Sequence, residues 1–163
     1  MKILMVSPVP FIPTDAGNRI RIFKLISMLN NLNHEVFFLH INNEGGDLES
    51  MKEMLGSEKY HETKPHTYDS IASKVKMVLK KITDSGKFLF IPNNIDDYCG
   101  ESVCMYMNKL FKKYRFDVLW VEYVFFSRLF DYVEDNCLKV LDTHDIFTNR
   151  HIDYIKKGVK YRW

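Results

Sequence analysis

The chain lacks any apolar run that approaches the ~20 residues of a membrane-spanning helix. Its opening apolar run covers only residues 3–6, and Pro8, Pro10 and Pro13 follow without a small-residue cleavage pattern. Such a start is too short and too interrupted to be a secretion signal. We therefore expect a cytoplasmic protein that is at most peripheral to the inner face of the membrane.

Cysteine is also scarce, since only Cys99, Cys104 and Cys137 occur among the 163 residues. Their number is odd and no C-x-x-C pair is present, so neither a disulfide framework nor a structural zinc site is indicated. Reduced, buried thiols are typical of a cytoplasmic protein. The net charge is only +2, which argues against a dedicated nucleic-acid-binding protein.

Glycine-rich phosphate-binding motifs are missing as well. A dinucleotide site requires G-x-G-x-x-G and a nucleoside triphosphate site requires G-x-x-x-x-G-K-[ST], but the first loop contains a single glycine, Gly17. We therefore predict no bound cofactor. Gly17 opens a predicted helix whose free N–H groups can hold an anion such as a diphosphate. The alternative is that this glycine only relieves a tight turn.

The pattern that is present is an alternation of short apolar runs and amphipathic segments. Hydrophobic residues make up 46% of the chain and aromatic residues 14%, which indicates a folded globular domain. After Gly17, the residues Ile22, Ile26 and Leu29 recur at helical spacing. Strands are predicted at 3–6, 35–41, 59–63, 117–121 and 138–142, and helices at 17–31, 47–55, 70–81, 101–114, 125–133 and 146–157. This alternation predicts an α/β fold, a parallel sheet with helices on both faces.

No repeat, linker or low-complexity segment divides the chain, so residues 1–163 are predicted to form a single domain. The predicted core consists of Ile3, Leu4, Val6, Val36, Phe38, Val118, Leu119, Val121, Val140 and Leu141. The last residues, 161–163, include no glycine, proline or polar tail. We therefore expect a cut at a domain edge within a longer protein, with a complete natural chain as the alternative.

The candidate site follows from strand geometry, because ligands of an open parallel sheet bind at the carboxyl ends of its strands. His144 follows the last predicted strand and is the predicted catalytic residue, since an imidazole there can donate to a hydroxyl or a phosphate. A structural role, which we expect for the other five histidines, is the alternative. No metal site is predicted, because only Asp142 and Asp145 stand near His144 in the sequence. The loops that should converge there contain Thr14, Asp15, Gly17, Asn18, Arg19, Glu122, Tyr123, Asp145 and Arg150.

Five stretches, residues 2–10, 13–19, 33–36, 117–122 and 140–145, together resemble the N-terminal domain of family 4 retaining glycosyltransferases of the GT-B fold. Those enzymes commonly begin with a strand, a proline-containing glycine loop, a long helix and a Gly-His-Glu-Val-like start of the second strand. A later strand in them runs into a His-Asp pair. The resemblance implies a Rossmann-like, acceptor-side domain.

The implied activity is retaining transfer of a sugar from a nucleotide-sugar donor to a glycan or lipid-linked acceptor, in cell-surface polysaccharide synthesis. By the same resemblance, His144 lies near the donor sugar and Gly17 brings backbone amides towards the diphosphate. The residues expected to bind substrate are Gly17, Asn18, Arg19, Glu122, Asp145 and Arg150.

The chain departs from the family pattern at two positions, because Ala16 replaces one of the paired glycines and Asn33 stands where glycine usually precedes His-Glu-Val. The donor-binding domain is absent from these 163 residues, so we expect them to be inactive alone. Two alternatives stay open: a non-catalytic flavodoxin-like binding module, and a half-enzyme that pairs with a separate donor-binding subunit. A phospho-acceptor regulator is disfavoured, because Ser7 and Pro8 rather than acidic residues end the first strand.

A basic amphipathic segment lies in the middle of the chain, where nothing matches the family pattern. Lys74, Lys76, Lys80 and Lys81 share the predicted helix 70–81 with apolar residues, and the aromatic segment 87–91 follows. Such a segment can lie on an anionic bilayer surface, which predicts peripheral membrane contact. The alternative is an ordinary surface helix whose apolar side packs on the sheet.

Overall fold

The computed structural model describes residues 1–42, 44–64, 99–134 and 136–144. The predicted helices 70–81 and 146–157, the segment 87–91 and residues 161–163 lie outside the described residues. The described elements are β1 (Lys2–Ser7), α1 (Gly17–Asn31), β2 (Glu35–Ile41), α2 (Leu48–Leu55), β3 (Tyr60–Thr63), α3 (Glu101–Tyr114), β4 (Val118–Glu122), a 3-10 helix (Val124–Tyr132) and β5 (Leu138–Asp142). The predicted element types are therefore confirmed in this part of the chain, except that the short helix after β4 is a 3-10 helix.

The strands form one sheet in the order β3-β2-β1-β4-β5, and all four neighbouring pairs are parallel. This confirms the predicted Rossmann-like α/β fold. Strands β2 and β3 lie on one side of β1, and β4 and β5 lie on the other side. The direction in which successive strands are added therefore reverses between β1 and β4. Flavodoxin-like sheets have the order 2-1-3-4-5 instead, and the described strands do not follow it.

Two apolar layers cover the two faces of the sheet. Because side chains alternate along a strand, Leu4 and Val6 of β1 pack with α3 and the 3-10 helix, while Ile3 and Met5 pack with α1 and α2. The buried residues of α1 are the predicted stripe Ile22, Ile26 and Leu29. Helices therefore cover both faces, as predicted.

Strand β5 is less buried than the sequence predicted. Val140 and Leu141 were predicted to lie in the core, but both are only half-buried. The reason is that β5 is the edge strand of the described sheet, and Leu138 at its start is 60% exposed. The other eight predicted core residues are buried. Within the described residues, no helix is both long and apolar enough to cross a membrane.

Local sequence explains where the helices next to the carboxyl edge begin. Helix α1 begins at Gly17 after Ala16, whose side chain offers no capping oxygen. The Arg19 amide instead donates to the side-chain oxygen of Asn18 at 2.9 Å. Helix α2 begins after Asp47, whose carboxylate accepts a hydrogen bond from the Ser50 amide at 3.1 Å. Of these two helices, α1 has the N-terminus that is open to a ligand.

Candidate functional site

A polar cluster lies at the carboxyl ends of β4 and β5, next to the first turns of α1. Glu122 ends β4 and Asp142 ends β5, and the parallel register places the two residues opposite each other. Beyond them come Tyr123 and His144, and both are in contact with the cluster. Of the residues in the loops that were predicted to converge, the structure brings together Asn18, Glu122, Tyr123 and His144.

The centre of the cluster is a pair formed by His144 and Glu122. The imidazole Nε2 and the carboxylate Oε2 share a short hydrogen bond, and the two side chains are 7% and 1% exposed. A carboxylate partner selects the tautomer in which Nε2 carries the proton and donates it. Among the described residues, Nδ1 of His144 has no hydrogen-bond partner. The ring is thus held in one orientation, and its second nitrogen is unbonded by the residues that the structure describes.

Glu122 is an unusually buried carboxyl group. Burial raises its pKa above the usual value, and the hydrogen bond and charge of His144 oppose that increase. Its second oxygen, Oε1, accepts no hydrogen bond from any described residue although it is inaccessible to solvent. A buried carboxylate oxygen without a donor is costly, so this position favours a ligand or a proton that would satisfy it.

Tyr123 links the pair to helix α1. Its ring stacks on the imidazole of His144, with the ring centroids 4.3 Å apart and an interplanar angle of 8°. Its hydroxyl accepts a hydrogen bond from the Asn18 side-chain amide at 2.9 Å. Both Tyr123 and His144 have positive φ, at 70° and 58°. Non-glycine residues in this region are uncommon and concentrate at functional sites.

An ion pair between Arg21 and Asp142 lies next to the Glu122–His144 pair. The Arg21 guanidinium lies 2.6 Å from Oδ2 of Asp142, and the other oxygen of that carboxylate accepts a hydrogen bond from the His144 amide at 3.2 Å. Arg21 was not among the predicted site residues. Its position offered a signal, since it lies three residues after Asn18 and therefore on the same face of α1.

The remaining predicted residues have different surroundings. Arg19 forms ion pairs with Asp15 at 3.2 Å and Glu44 at 3.3 Å, both outside the cluster. Gly17 opens α1, and a methyl group added there would meet nothing within 4 Å among the described residues. Asp145 and Arg150 lie outside the described residues.

The cluster also has the ligand types of a cation site. Glu122, Asp142 and His144 each offer one ligand atom, and these atoms lie within 4.8 Å of one another. The sequence prediction of no metal considered only Asp142 and Asp145 beside His144, because Glu122 lies 22 positions before His144 and their contact is not evident from the sequence. Two carboxylates and an imidazole suit a divalent cation. In this structure the same groups are bonded to each other and to Arg21.

A separate cavity lies at the opposite, amino edge of the sheet, and residues there can serve as controls for variants of the carboxyl-edge cluster. Its volume is about 760 Å³, and Lys112, Asp117 and Cys137 contribute to its lining near the starts of β4 and β5. His34 also lies at this amino edge, where Nδ1 is 3.5 Å from the Met1 amino group.

No protein-family model matches the chain, and comparisons with curated proteins and with solved structures give no match either.

Proposed function

We propose that this chain is the acceptor-side domain of a retaining glycosyltransferase, with its reaction cleft at the carboxyl edge of the sheet. The observation that carries the proposal is the His144 imidazole, which Glu122 orients beside the first turn of α1. The strand order supports it, because ligands bind in open α/β sheets where the order reverses, and here that point lies between β1 and β4. The sequence resemblance supplies the reaction class.

In the proposed chemistry, two features of the cleft contact different parts of the nucleotide-sugar donor. The positive end of the α1 dipole and the N–H groups of Gly17 and Asn18, which Ala16 does not cap, attract the negative diphosphate, and Gly17 leaves space for it. In the tautomer that Glu122 selects, Nδ1 of His144 accepts a hydrogen bond from a hydroxyl of the donor sugar. Since the leaving phosphate can take the acceptor's proton in a front-face retaining reaction, His144 need not act as a general base. Its contribution is a fixed hydrogen bond that strengthens as positive charge develops on the sugar in the transition state.

The same proposal requires a second, donor-binding half. Transfer needs the diphosphate stabilised and the acceptor held against the sugar at the same time, and one half of a two-domain cleft does not do both. We therefore expect residues 1–163 alone to transfer no sugar and to bind nucleotide sugars only weakly. Calorimetry that gave micromolar affinity for a nucleotide sugar would contradict this.

The donor-binding half has two possible sources, which correspond to a two-domain enzyme and to a half-enzyme with a separate subunit. Sequencing the native transcript separates them, because a reading frame that continues past Trp163 into a second domain supports the first. A stop codon there, together with a separately encoded donor-binding protein that copurifies with the chain, supports the second. A glycan or lipid-linked acceptor is compatible with both.

The site assignment is tested by NMR titration of the labelled 163-residue protein with nucleotide sugars and simple glycans at millimolar concentration. We expect amide shifts at Asn18, Tyr123 and His144, which disappear in His144→Ala and persist in the amino-edge variant His34→Ala. Shifts confined to the amino-edge cavity around Lys112 and Cys137 would mean that the cleft is misplaced. No response to any of the compounds at this concentration would remove the proposal.

A further inference from the structure

Two of the three cysteines meet at the start of helix α3. The sulfurs of Cys99 and Cys104 are 3.6 Å apart, and both residues are fully buried. Their spacing of five residues is not a C-x-x-C pattern, so the spacing did not indicate this contact. Two of the cysteines that were predicted to be reduced, buried thiols are therefore in direct contact.

The positions of the two cysteines on either side of the start of α3 explain the contact. Gly100 is the N-cap of α3, so Cys99 is the residue before the cap and Cys104 is the fourth residue of the helix. Apolar side chains at these two positions commonly pack against each other and fix the direction in which the chain enters the helix. Valine or leucine would satisfy that role, so packing alone does not account for two thiols.

The surroundings of the pair favour the reactive form of one thiol. The pKa of Cys104 is lowered to about 7 by a hydrogen bond with Cys99, and the Arg128 charge and a hydrogen bond with Tyr132 act in the same direction against burial. The Arg128 guanidinium is fixed nearby by hydrogen bonds to the Cys99 carbonyl at 3.3 Å and to the Tyr132 hydroxyl at 3.4 Å. Cys137 is different, because burial raises the pKa of its thiol.

We propose that Cys99 and Cys104 form a redox-active dithiol that a small hydroperoxide converts into an intramolecular disulfide. The Cys104 thiolate attacks one oxygen of hydrogen peroxide, the O–O bond breaks, and water leaves after protonation of the departing oxygen. The resulting sulfenic acid is attacked by the Cys99 sulfur, the S–S bond forms, and the S–O bond breaks with loss of a second water. Two thiols thus lose two electrons and two protons, and one peroxide becomes two waters.

Geometry and burial set the selectivity of this step. The sulfurs have to approach from 3.6 Å to the bonding distance of about 2 Å. Because both residues are buried, a small oxidant is favoured over a bulky disulfide reagent. Both cysteines belong to the apolar layer that α3 and the 3-10 helix form on one face of the sheet. The proposed oxidation does not depend on the proposed glycosyltransferase activity.

The test is oxidation of the intact 163-residue protein with hydrogen peroxide, followed by unfolding, alkylation and peptide mass spectrometry. We expect loss of two alkylatable thiols, a Cys99–Cys104 cross-linked peptide that dithiothreitol reverses, and continued alkylation of Cys137. The matched control Cys137→Ala should oxidise like the wild type. Oxidation of Cys137 alone, mixed pairings that include it, or the persistence of all three thiols would overturn the proposal.

Single variants test the order of the two steps and do not depend on disulfide formation. In Cys99→Val, which preserves an apolar contact before α3, Cys104 should accumulate a sulfenic acid that dimedone traps. In Cys104→Val, dimedone labelling of Cys99 should fall below that of Cys104 in the first variant, because the Arg128 charge and the Tyr132 hydrogen bond, which also lower the pKa of Cys104, remain when Cys99 is replaced. Equal labelling of the two variants, or none in either while circular dichroism shows them folded, would mean that the pair is only a packing contact.

Discussion

The rings of Tyr123 and His144 stack with their centroids 4.3 Å apart, and each ring belongs to a residue with positive φ within two residues of the end of a parallel strand. These conformations are unfavourable for residues that carry a Cβ, so their surroundings have to hold them. The Asn18 amide holds the Tyr123 hydroxyl, and Glu122 holds the imidazole. The stack is therefore part of one hydrogen-bonded unit that joins α1, β4 and β5.

The Asn18–Tyr123 hydrogen bond should contribute measurably to stability. Tyr123→Phe keeps the stacked ring but leaves the Asn18 amide without its acceptor, so the free energy of unfolding in urea should fall by about 0.5–1.5 kcal/mol. The matched control is Tyr114→Phe, which removes an exposed and longer hydrogen bond to the Glu58 carbonyl at 3.3 Å. A larger loss in Tyr114→Phe than in Tyr123→Phe would show that the link to α1 is energetically unimportant.

Gly17 is predicted to matter for a ligand and not for the fold. A Cβ at this position meets no described atom within 4 Å, so Gly17→Ala should leave stability unchanged or raise it by about 0.4–1 kcal/mol. Gly17→Val should remain folded, whereas in an enzyme that includes the donor-binding half its side chain should obstruct the diphosphate and lower turnover about as much as removal of the His144 ring. Thermal unfolding and steady-state kinetics measure the two effects separately. Loss of folding in Gly17→Ala would contradict the interpretation.

Much of the fold could be predicted because each strand has a simple local signature. The continuous apolar run of β1 and the stripe Ile22, Ile26 and Leu29 of α1 reflect burial, which local sequence encodes directly. The half-burial of Val140 and Leu141 could not be predicted in this way, because both fit a central strand and only the strand order shows that β5 is at the edge.

The candidate site could be predicted only in part. Strand-end geometry placed Glu122, Tyr123 and His144 together, since that inference needs only the order of the strands along the chain. It did not predict the Arg21–Asp142 ion pair or the contact between Cys99 and Cys104. Those contacts depend on how α1 and the start of α3 are rotated against their neighbours, and sequence spacing alone does not fix such rotations.

Stability should fall as the solution is acidified below about pH 6.5, and His40 is one cause. Burial lowers the pKa of His40 below its usual value of 6.5, so the unfolded chain binds this proton more readily than the folded protein. The resulting stabilisation is present above pH 6.5 and is lost as the pH falls towards the folded-state pKa. His61, whose pKa burial and Lys113 also lower, acts in the same direction, whereas the raised pKa of Glu122 has the opposite effect at lower pH.

The contribution of His40 is isolated by comparing unfolding midpoints between pH 5 and 8 in two variants. His40→Gln should flatten the decline, because it removes the titrating group. Tyr60→Phe removes the hydroxyl that lies 3.0 Å from Nδ1 and should lower stability throughout while keeping the decline. An unchanged slope in His40→Gln would show that the acid sensitivity arises elsewhere.

The decisive prediction concerns His144 in an enzyme that includes the donor-binding half. His144→Ala should lower turnover by ~10²–10³, the usual effect of removing a group that stabilises developing charge. His144→Gly should give the same loss. Because glycine adopts the φ of 58° without strain, a loss in this variant is due to the missing ring and not to backbone strain. Glu122→Gln should cause a smaller loss, since the amide oxygen can still accept from Nε2 without the carboxylate charge that favours this tautomer. His34→Ala, at the amino edge of the sheet, should leave turnover nearly unchanged. Steady-state kinetics on the four variants, with circular dichroism to confirm folding, measures these effects. If His144→Ala keeps near-wild-type turnover, or if His34→Ala is the more damaging change, the cleft does not lie at the carboxyl edge and the proposed function loses its mechanistic basis.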